Sequence, residues 1–321
     1  MHKTLSVVVI FVLAGCSGMA TPSAPSLAGL APGGAAPGTF SVPHLAELAS
    51  LASGGRSLKA TQDLYVSDFA TGNVEVLQNA GYQKIGMIKN GLGSPDGDYL
   101  DAKGNLYVAN YGGRTITEYP PGQKMPSFTY SSGMQAPVNV TVDAKGNVYE
   151  SDFKGFVNEY AQNSNVAEYT CTPGGGVEGV AINKHGDVFV SYNPRFGPAK
   201  IVEYKNTLSG CHNTLLDPGF KFIGGIQFDR HDNLLVCDQS GPAVDVLEPP
   251  YTSITSTLGG NYQEPFHITL SRDNKVAYVA DPHTPAVYVL KYPSGEPIAT
   301  LGMANGVSQP AGAVDAPNAV Y

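Results

Sequence analysis

The 321-residue chain has no tryptophan, only four cysteines and few charged side chains, 14% in all. Basic residues are the scarcer sign, 19 Lys and Arg against 27 Asp and Glu, for a formal net charge of −8. A phosphate backbone is held by a basic footprint, so this balance argues against nucleic acid as a partner. The sequence contains no Gly-x-Ser-x-Gly, His-Glu-x-x-His, phosphate-loop or Cys-x-x-Cys motif, which removes the commonest serine-hydrolase, zinc-protease, nucleotide and dithiol chemistries. Gly174-Gly-Gly176 lacks the Lys-Ser/Thr of a phosphate cradle, and the seven histidines are scattered, with no pair at ligand spacing. No catalytic residue is expected on these grounds. The apolar stretch Leu5 to Ala14 is about half of the roughly 20 residues that a membrane helix needs.

Glycine and proline are plentiful, 38 and 24 residues, a density that suits many short strands separated by turns. At the N-terminus, Lys3, the apolar stretch and the small residues of Leu13-Ala14-Gly15-Cys16 read as a signal peptide over 1–15. Leu-Ala-Gly-Cys resembles the bacterial lipobox. That resemblance implies diacylglycerol on Cys16, cleavage before it, and a lipid-anchored, extracytoplasmic protein of the cell envelope. Ser17 then favours the outer membrane or cell surface. Residues 16–61 follow as a lipidated Cys and an Ala/Pro/Gly/Ser-rich tether, which buries too little apolar surface to offset its ordering entropy.

From 62 to 321 one pattern recurs. Asp63-Leu-Tyr-Val-Ser-Asp68, Asn105-Leu-Tyr-Val-Ala-Asn110, Asn147-Val-Tyr-Glu-Ser-Asp152, Asp187-Val-Phe-Val-Ser-Tyr192, Asn233-Leu-Leu-Val-Cys-Asp238 and Lys275-Val-Ala-Tyr-Val-Ala-Asp281 are spaced by 42, 42, 40, 46 and 42 residues at their first apolar position. A period in the low forties built from strand-like pieces predicts propeller blades. Each unit holds a strand before the signature that ends in an Asx-type turn, at Asp101, Asp143, Asn183, Asp229, Ser271 and Asp315, then an alternating strand after the signature and a more variable fourth. The region opens on a second strand near Asp63 and ends on a lone first strand, Pro310 to Asp315. The expected fold is therefore an all-β, six-bladed β-propeller whose ring closes when the C-terminal strand pairs into the N-terminal blade.

Gly104-Asn-Leu-Tyr-Val-Ala-Asn110 and Gly146-Asn-Val-Tyr-Glu-Ser-Asp152 resemble NHL-repeat propellers and their relatives in the senescence-marker-protein/gluconolactonase superfamily. The resemblance spans roughly 62–321 and concerns architecture.

Residues that recur in most blades serve the blade, since one central site needs no six copies. Asp68, Asn110, Asp152, Asp238 and Asp281 belong to that set, as acceptors for turn amides. Candidates for function break the repeat where the first strands converge on the channel, near the N-terminal ends of those strands: Asp96, Asn139 and Glu178, with Asp98, Gln227 and His267 at the channel mouth. An oxygen-rich, anionic, convergent set suits a divalent cation such as calcium, and His267 would accept a transition metal. The gluconolactonase-like resemblance implies such a cation, held by Asp, Asn and Glu and polarising a lactone carbonyl. Pro95-Asp96-Gly97 and Pro137-Val-Asn139 match the segments bearing the first two, the Asn displaced by one position, and Glu178 lies on a different blade from the family's Glu. Cys171 and Cys211, 40 residues apart, fall in the outer zone of consecutive blades, where a disulfide is geometrically demanding because blades splay at the rim. Cys237 reads as a buried small hydrophobe. The leading expectation is a surface-anchored, non-enzymatic binding or scaffolding propeller with a protein or small-molecule ligand. The alternative is a metal-dependent hydrolase of the lactonase type using Asp96, Asn139 and Glu178.

Overall fold

The computed structural model describes residues 62–317; the signal peptide, Cys16 and the tether lie outside the described residues. Within them the chain forms 24 strands in six four-stranded antiparallel sheets. The chain enters on β1 (Gln62–Asp68), β2 (Asn73–Gln78) and β3 (Lys84–Ile88), three strands of blade one. Blade two is β4 (Pro95–Leu100), β5 (Leu106–Asn110), β6 (Thr115–Tyr119) and β7 (Phe128–Tyr130). Blade three is β8 (Pro137–Val142), β9 (Val148–Asp152), β10 (Phe156–Tyr160) and β11 (Ala167–Cys171). Blade four is β12 (Gly176–Ile182), β13 (Val188–Asn193), β14 (Lys200–Tyr204) and β15 (Asn213–Leu216). Blade five is β16 (Ile223–Phe228), β17 (Leu234–Asp238), β18 (Ala243–Leu247) and β19 (Ser256–Leu258). Blade six is β20 (His267–Leu270), β21 (Val276–Asp281), β22 (Ala286–Lys291) and β23 (Pro297–Leu301). The last strand, β24 (Pro310–Pro317), returns to blade one and pairs antiparallel with β1, Leu64 opposite Asp315 and Val66 opposite Ala313. The expected ring closure is what the structure shows.

Strand alternation explains how blades stack. Leu64 and Val66 pack with Tyr278, Val287 and Val289 of blade six, whereas Tyr65 points to the other face, with Leu106 and Val108 of blade two. The same division gives six buried apolar clusters, one in each interface between neighbouring blades. The core is thus distributed around the ring, and successive inner strands β4, β8, β12, β16, β20 and β24 touch in turn until β24 meets β4.

The recurring acids tie turns. Asp152 accepts from the backbone N–H groups of Gln135, Ala136 and Lys154, and Asp281 from those of Gln263, Glu264, His283 and Thr284. Asp68 does the same for Thr71 and for Ser308, which leads into β24. At the other end of the blades, Asp101 Oδ1 accepts from the N–H groups of Lys103 and Asn105 and Oδ2 from Asn105 Nδ2, and Asp143 and Asp229 repeat the arrangement. Aligned by sequence, Asp315 would join that set. The ladder places it elsewhere: opposite Leu64, in the register that Leu100, Val142, Ile182, Phe228 and Leu270 hold in the other blades.

Candidate functional site

The channel has an upper mouth at the N-terminal ends of the inner strands and a lower mouth at their C-terminal ends. Asp96 and Asp98 on β4, Asn139 on β8, Glu178 on β12 and His267 on β20 belong to the upper end. Asp96, Asp98, Glu178 and His267 are all buried there. His267 crosses the ring. Its Nδ1 lies 2.8 Å from Asn139 Nδ2, on the blade directly opposite, and its Nε2 lies 3.3 Å from Asp96 Oδ1, two blades away. With the amide nitrogen facing it, Nδ1 accepts and Nε2–H donates to the carboxylate. Close packing makes this reach feasible. A Cβ on Gly225 of β16 would stand 2.3 Å from His267 Nδ1, and one on Gly97 would stand 2.6 Å from the Val138 carbonyl oxygen. The upper mouth is plugged by side chains.

Among the described residues no Lys or Arg forms an ion pair with Asp96, Asp98 or Glu178. Burial pushes the Glu178 carboxyl up to about 8, with the charges of Asp96 and Glu264 adding to the rise and the Asn193 amide, 3.4 Å away, opposing it. Burial likewise pushes Asp98 up to about 7, against a 2.9 Å hydrogen bond from Ser67 Oγ; its Oδ1 has no hydrogen-bond partner. Asp96 is raised by burial and pulled back by His267. Ser67 belongs to a set that clasps neighbouring blades: Ser151 and Ser191 donate to the Glu178 and Gly224 carbonyl oxygens of the next inner strands.

The trio proposed as metal ligands is close in space without forming a cage. Asn139 turns its amide nitrogen to His267, Asp96 Oδ1 faces the imidazole, and no group of three His, Cys, Asp or Glu among the described residues is arranged to hold a metal ion. As placed, the set does not fit a divalent cation. Gln227 is not part of this mouth. It sits opposite Leu235 near the lower end of β16 and donates to the Phe228 carbonyl oxygen; the β16 residue beside His267 is Gly225.

The lower mouth holds a cavity of about 270 Å³ bounded by β4, β20 and β24, with Tyr99, Leu270, Arg272, Val314 and Asp315 on its wall. Asp315 Oδ2 is buried without a partner. Burial pushes this carboxyl up to about 6, offset by the Arg272 backbone N–H and guanidinium and reinforced by the Asp273 charge. Alignment along the sequence makes Asp315 a turn acid; the signal against that reading is that five blades carry an apolar residue in its register.

At the rim, a disulfide joins Cys171 at the end of β11 to Cys211 before β15, with Cα atoms 5.4 Å apart. The splay of the blades is bridged by the loop 205–212. Glu159 Oε2 of β10 accepts from Thr207 Oγ1 and the Leu208 N–H and draws that loop against blade three. Cys237 is buried in β17, and burial raises its thiol.

With this geometry in view, a likeness among solved structures can be placed. A chain in the crystal structure of a nidogen/laminin complex superposes with a TM-score of 0.66 at 15% identity, covering 79% of this chain and 98% of that one. The shared feature is the fold. The chain is a six-bladed β-propeller. No family model matches the sequence, and no curated protein does.

Proposed function

We propose that this propeller is a surface-anchored, non-enzymatic binding or scaffolding protein of the NHL-repeat and gluconolactonase-like type, held to a membrane by lipid on Cys16. The observation that carries the non-enzymatic part is the plug. In a channel enzyme the convergent polar groups face the substrate, whereas here His267 spends both ring nitrogens on Asn139 and Asp96 and the acids around it are buried. Support for a binding role is the fold itself, a rigid ring presenting loops at both mouths. Support for the anchor is the Leu13 to Cys16 segment.

The lactonase-type alternative needs Asp96, Asn139 and Glu178 to release the imidazole and close on a cation. Thermal unfolding with EDTA and then with saturating calcium, manganese or zinc separates the two readings. Binding at about 100 times the dissociation constant adds about 2.7 kcal/mol, which is about 5–10 °C for a domain of this size. The binding reading expects no shift. A rise of that order, abolished by Asp96→Asn, overturns it in favour of the hydrolase.

A further inference from the structure

Three phenylalanines are exposed among the described residues, Phe153, Phe196 and Phe222. Each is next in sequence to a cation: Phe153-Lys154, Arg195-Phe196 and Lys221-Phe222. They come from consecutive blades three, four and five and form one strip along the upper rim. The Phe153 ring lies against Gly176, where a Cβ would stand 3.5 Å from it. Gly175 packs on Asn193 and Pro194, just before Arg195. Asn193 in turn exchanges hydrogen bonds with the backbone of Ile223, just after Phe222, and the Lys221 carbonyl accepts from Ala199. Lys154 Nζ stands 6.0 Å from the centre of the Phe153 ring and the Arg195 guanidinium 5.4 Å from that of Phe196. None of the three cations forms an ion pair among the described residues; nearby Lys200 is taken by Asp217.

The lower mouth is a contrast within the same molecule. Two of its turn cations are paired, Lys184 with Asp232 and Lys275 with Asp273, while Lys103 and Lys145 form no ion pair among the described residues; what it does not carry is an exposed phenylalanine among the described residues to stand beside them. Exposed aromatic rings cost hydration free energy unless something apolar receives them, and alternating cations add attraction to negative charge. A bilayer surface offers both: an interface that accepts aromatic rings and anionic headgroups that attract each basic residue. On a chain with a net charge of −8, a strip in which each exposed phenylalanine sits beside a cation without an ion pair gives such a surface one preferred face of the ring to meet.

We infer that the strip Phe153, Lys154, Arg195, Phe196, Lys221 and Phe222 docks the upper rim of the propeller onto an anionic phospholipid surface. This is independent of any lipid on Cys16, and the test uses a chain that lacks it. Residues 62–317 contain every sheet complete and the ring closed, so a chain running from Ser17 to Tyr321 keeps the fold.

That chain is co-sedimented with vesicles of phosphatidylcholine alone and of phosphatidylcholine mixed with phosphatidylglycerol. The expected result is binding to the mixed vesicles only, weakened by added salt. Neutralising all three cations (Lys154→Gln, Arg195→Gln, Lys221→Gln) lowers partitioning on the order of a hundredfold, at about 1 kcal/mol per basic residue. Replacing the three phenylalanines by serine lowers it with the charges intact, while Lys145→Gln with Lys184→Gln at the lower mouth leaves it unchanged. Melting curves confirm that each variant is folded. The proposal is overturned by absence of binding to the mixed vesicles, by an equal loss in the lower-mouth variant, or by retention of a soluble anionic polysaccharide in place of vesicles.

Discussion

At the lower mouth, Asp101, Asp143 and Asp229 each accept at least three hydrogen bonds from the turn that follows them. At the upper mouth, Asp98 keeps an oxygen without a partner and Glu178 has one long amide contact. The first group recurs from blade to blade and the second does not. Repetition has matched each recurring acid to donors supplied by its own blade. An acid present once depends on whatever the ring brings across the channel, and burial without enough donors drives its pKa up. Recurrence therefore separates groups that stabilise the scaffold from groups the scaffold has to tolerate.

The comparison breaks most completely if the chain stops before Pro310. Both mouths then lose the inner strand of blade one, and two edges and two apolar interfaces open together. Calorimetry should find no cooperative transition in place of a slightly lowered one.

A smaller cut tests one recurring acid. Asp229→Ala removes acceptors for the N–H groups of His231 and Asn233, for Asn233 Nδ2 and for the Tyr292 hydroxyl, and should cost about 2–4 kcal/mol in urea denaturation. His267→Ala at the upper mouth should cost less, about 1–3 kcal/mol, because the groups it leaves, Asp96 and Asn139, can take up water entering the space it vacates.

The least expected effect at neutral pH, and the sharpest contrast, belongs to Glu178→Gln. A carboxyl raised on folding from 4.5 to about 8 binds its proton more tightly in the native state. Its contribution is fully present below pH 4.5 and is lost as pH rises through about 8. Wild-type melting temperature should accordingly fall between pH 5 and pH 9. Glu178→Gln should flatten the upper part of that slope, leaving the part near pH 7 due to Asp98. An unchanged slope would mean that Glu178 is ionised and solvated.

Most of the ring was legible in the sequence, because each blade repeats a strand, a turn and an alternating strand, and the count of first and second strands specified which ends must meet. Two positions are not legible, each for its own reason. Asp315 aligns with Asp101 by sequence, but blade one is split between the chain ends, so no continuous turn links its first and second strands and there is nothing to count from; only the ladder to β1 reveals the register. A linear alignment puts Gln227 at the upper mouth because it does not display the irregularities in pairing that the inner strands of blades two to five carry. The reach of His267 to the opposite blade is a property of ring diameter, and no spacing along the chain encodes it. The phenylalanine and cation pairs were visible as dipeptides, yet only exposure and blade order make them one strip.

The return of β24 to blade one also fixes when the molecule can become itself. During synthesis, at about 5–20 residues per second, β1 is made first and its partner last, so for tens of seconds the nascent polypeptide carries an open edge and no finished ring. Until residues 310–317 emerge, the inner edge of β1 has no partner and blade one lacks its innermost strand. Once they dock, the topology is sealed at the seam where the oldest and the youngest parts of the chain lie side by side.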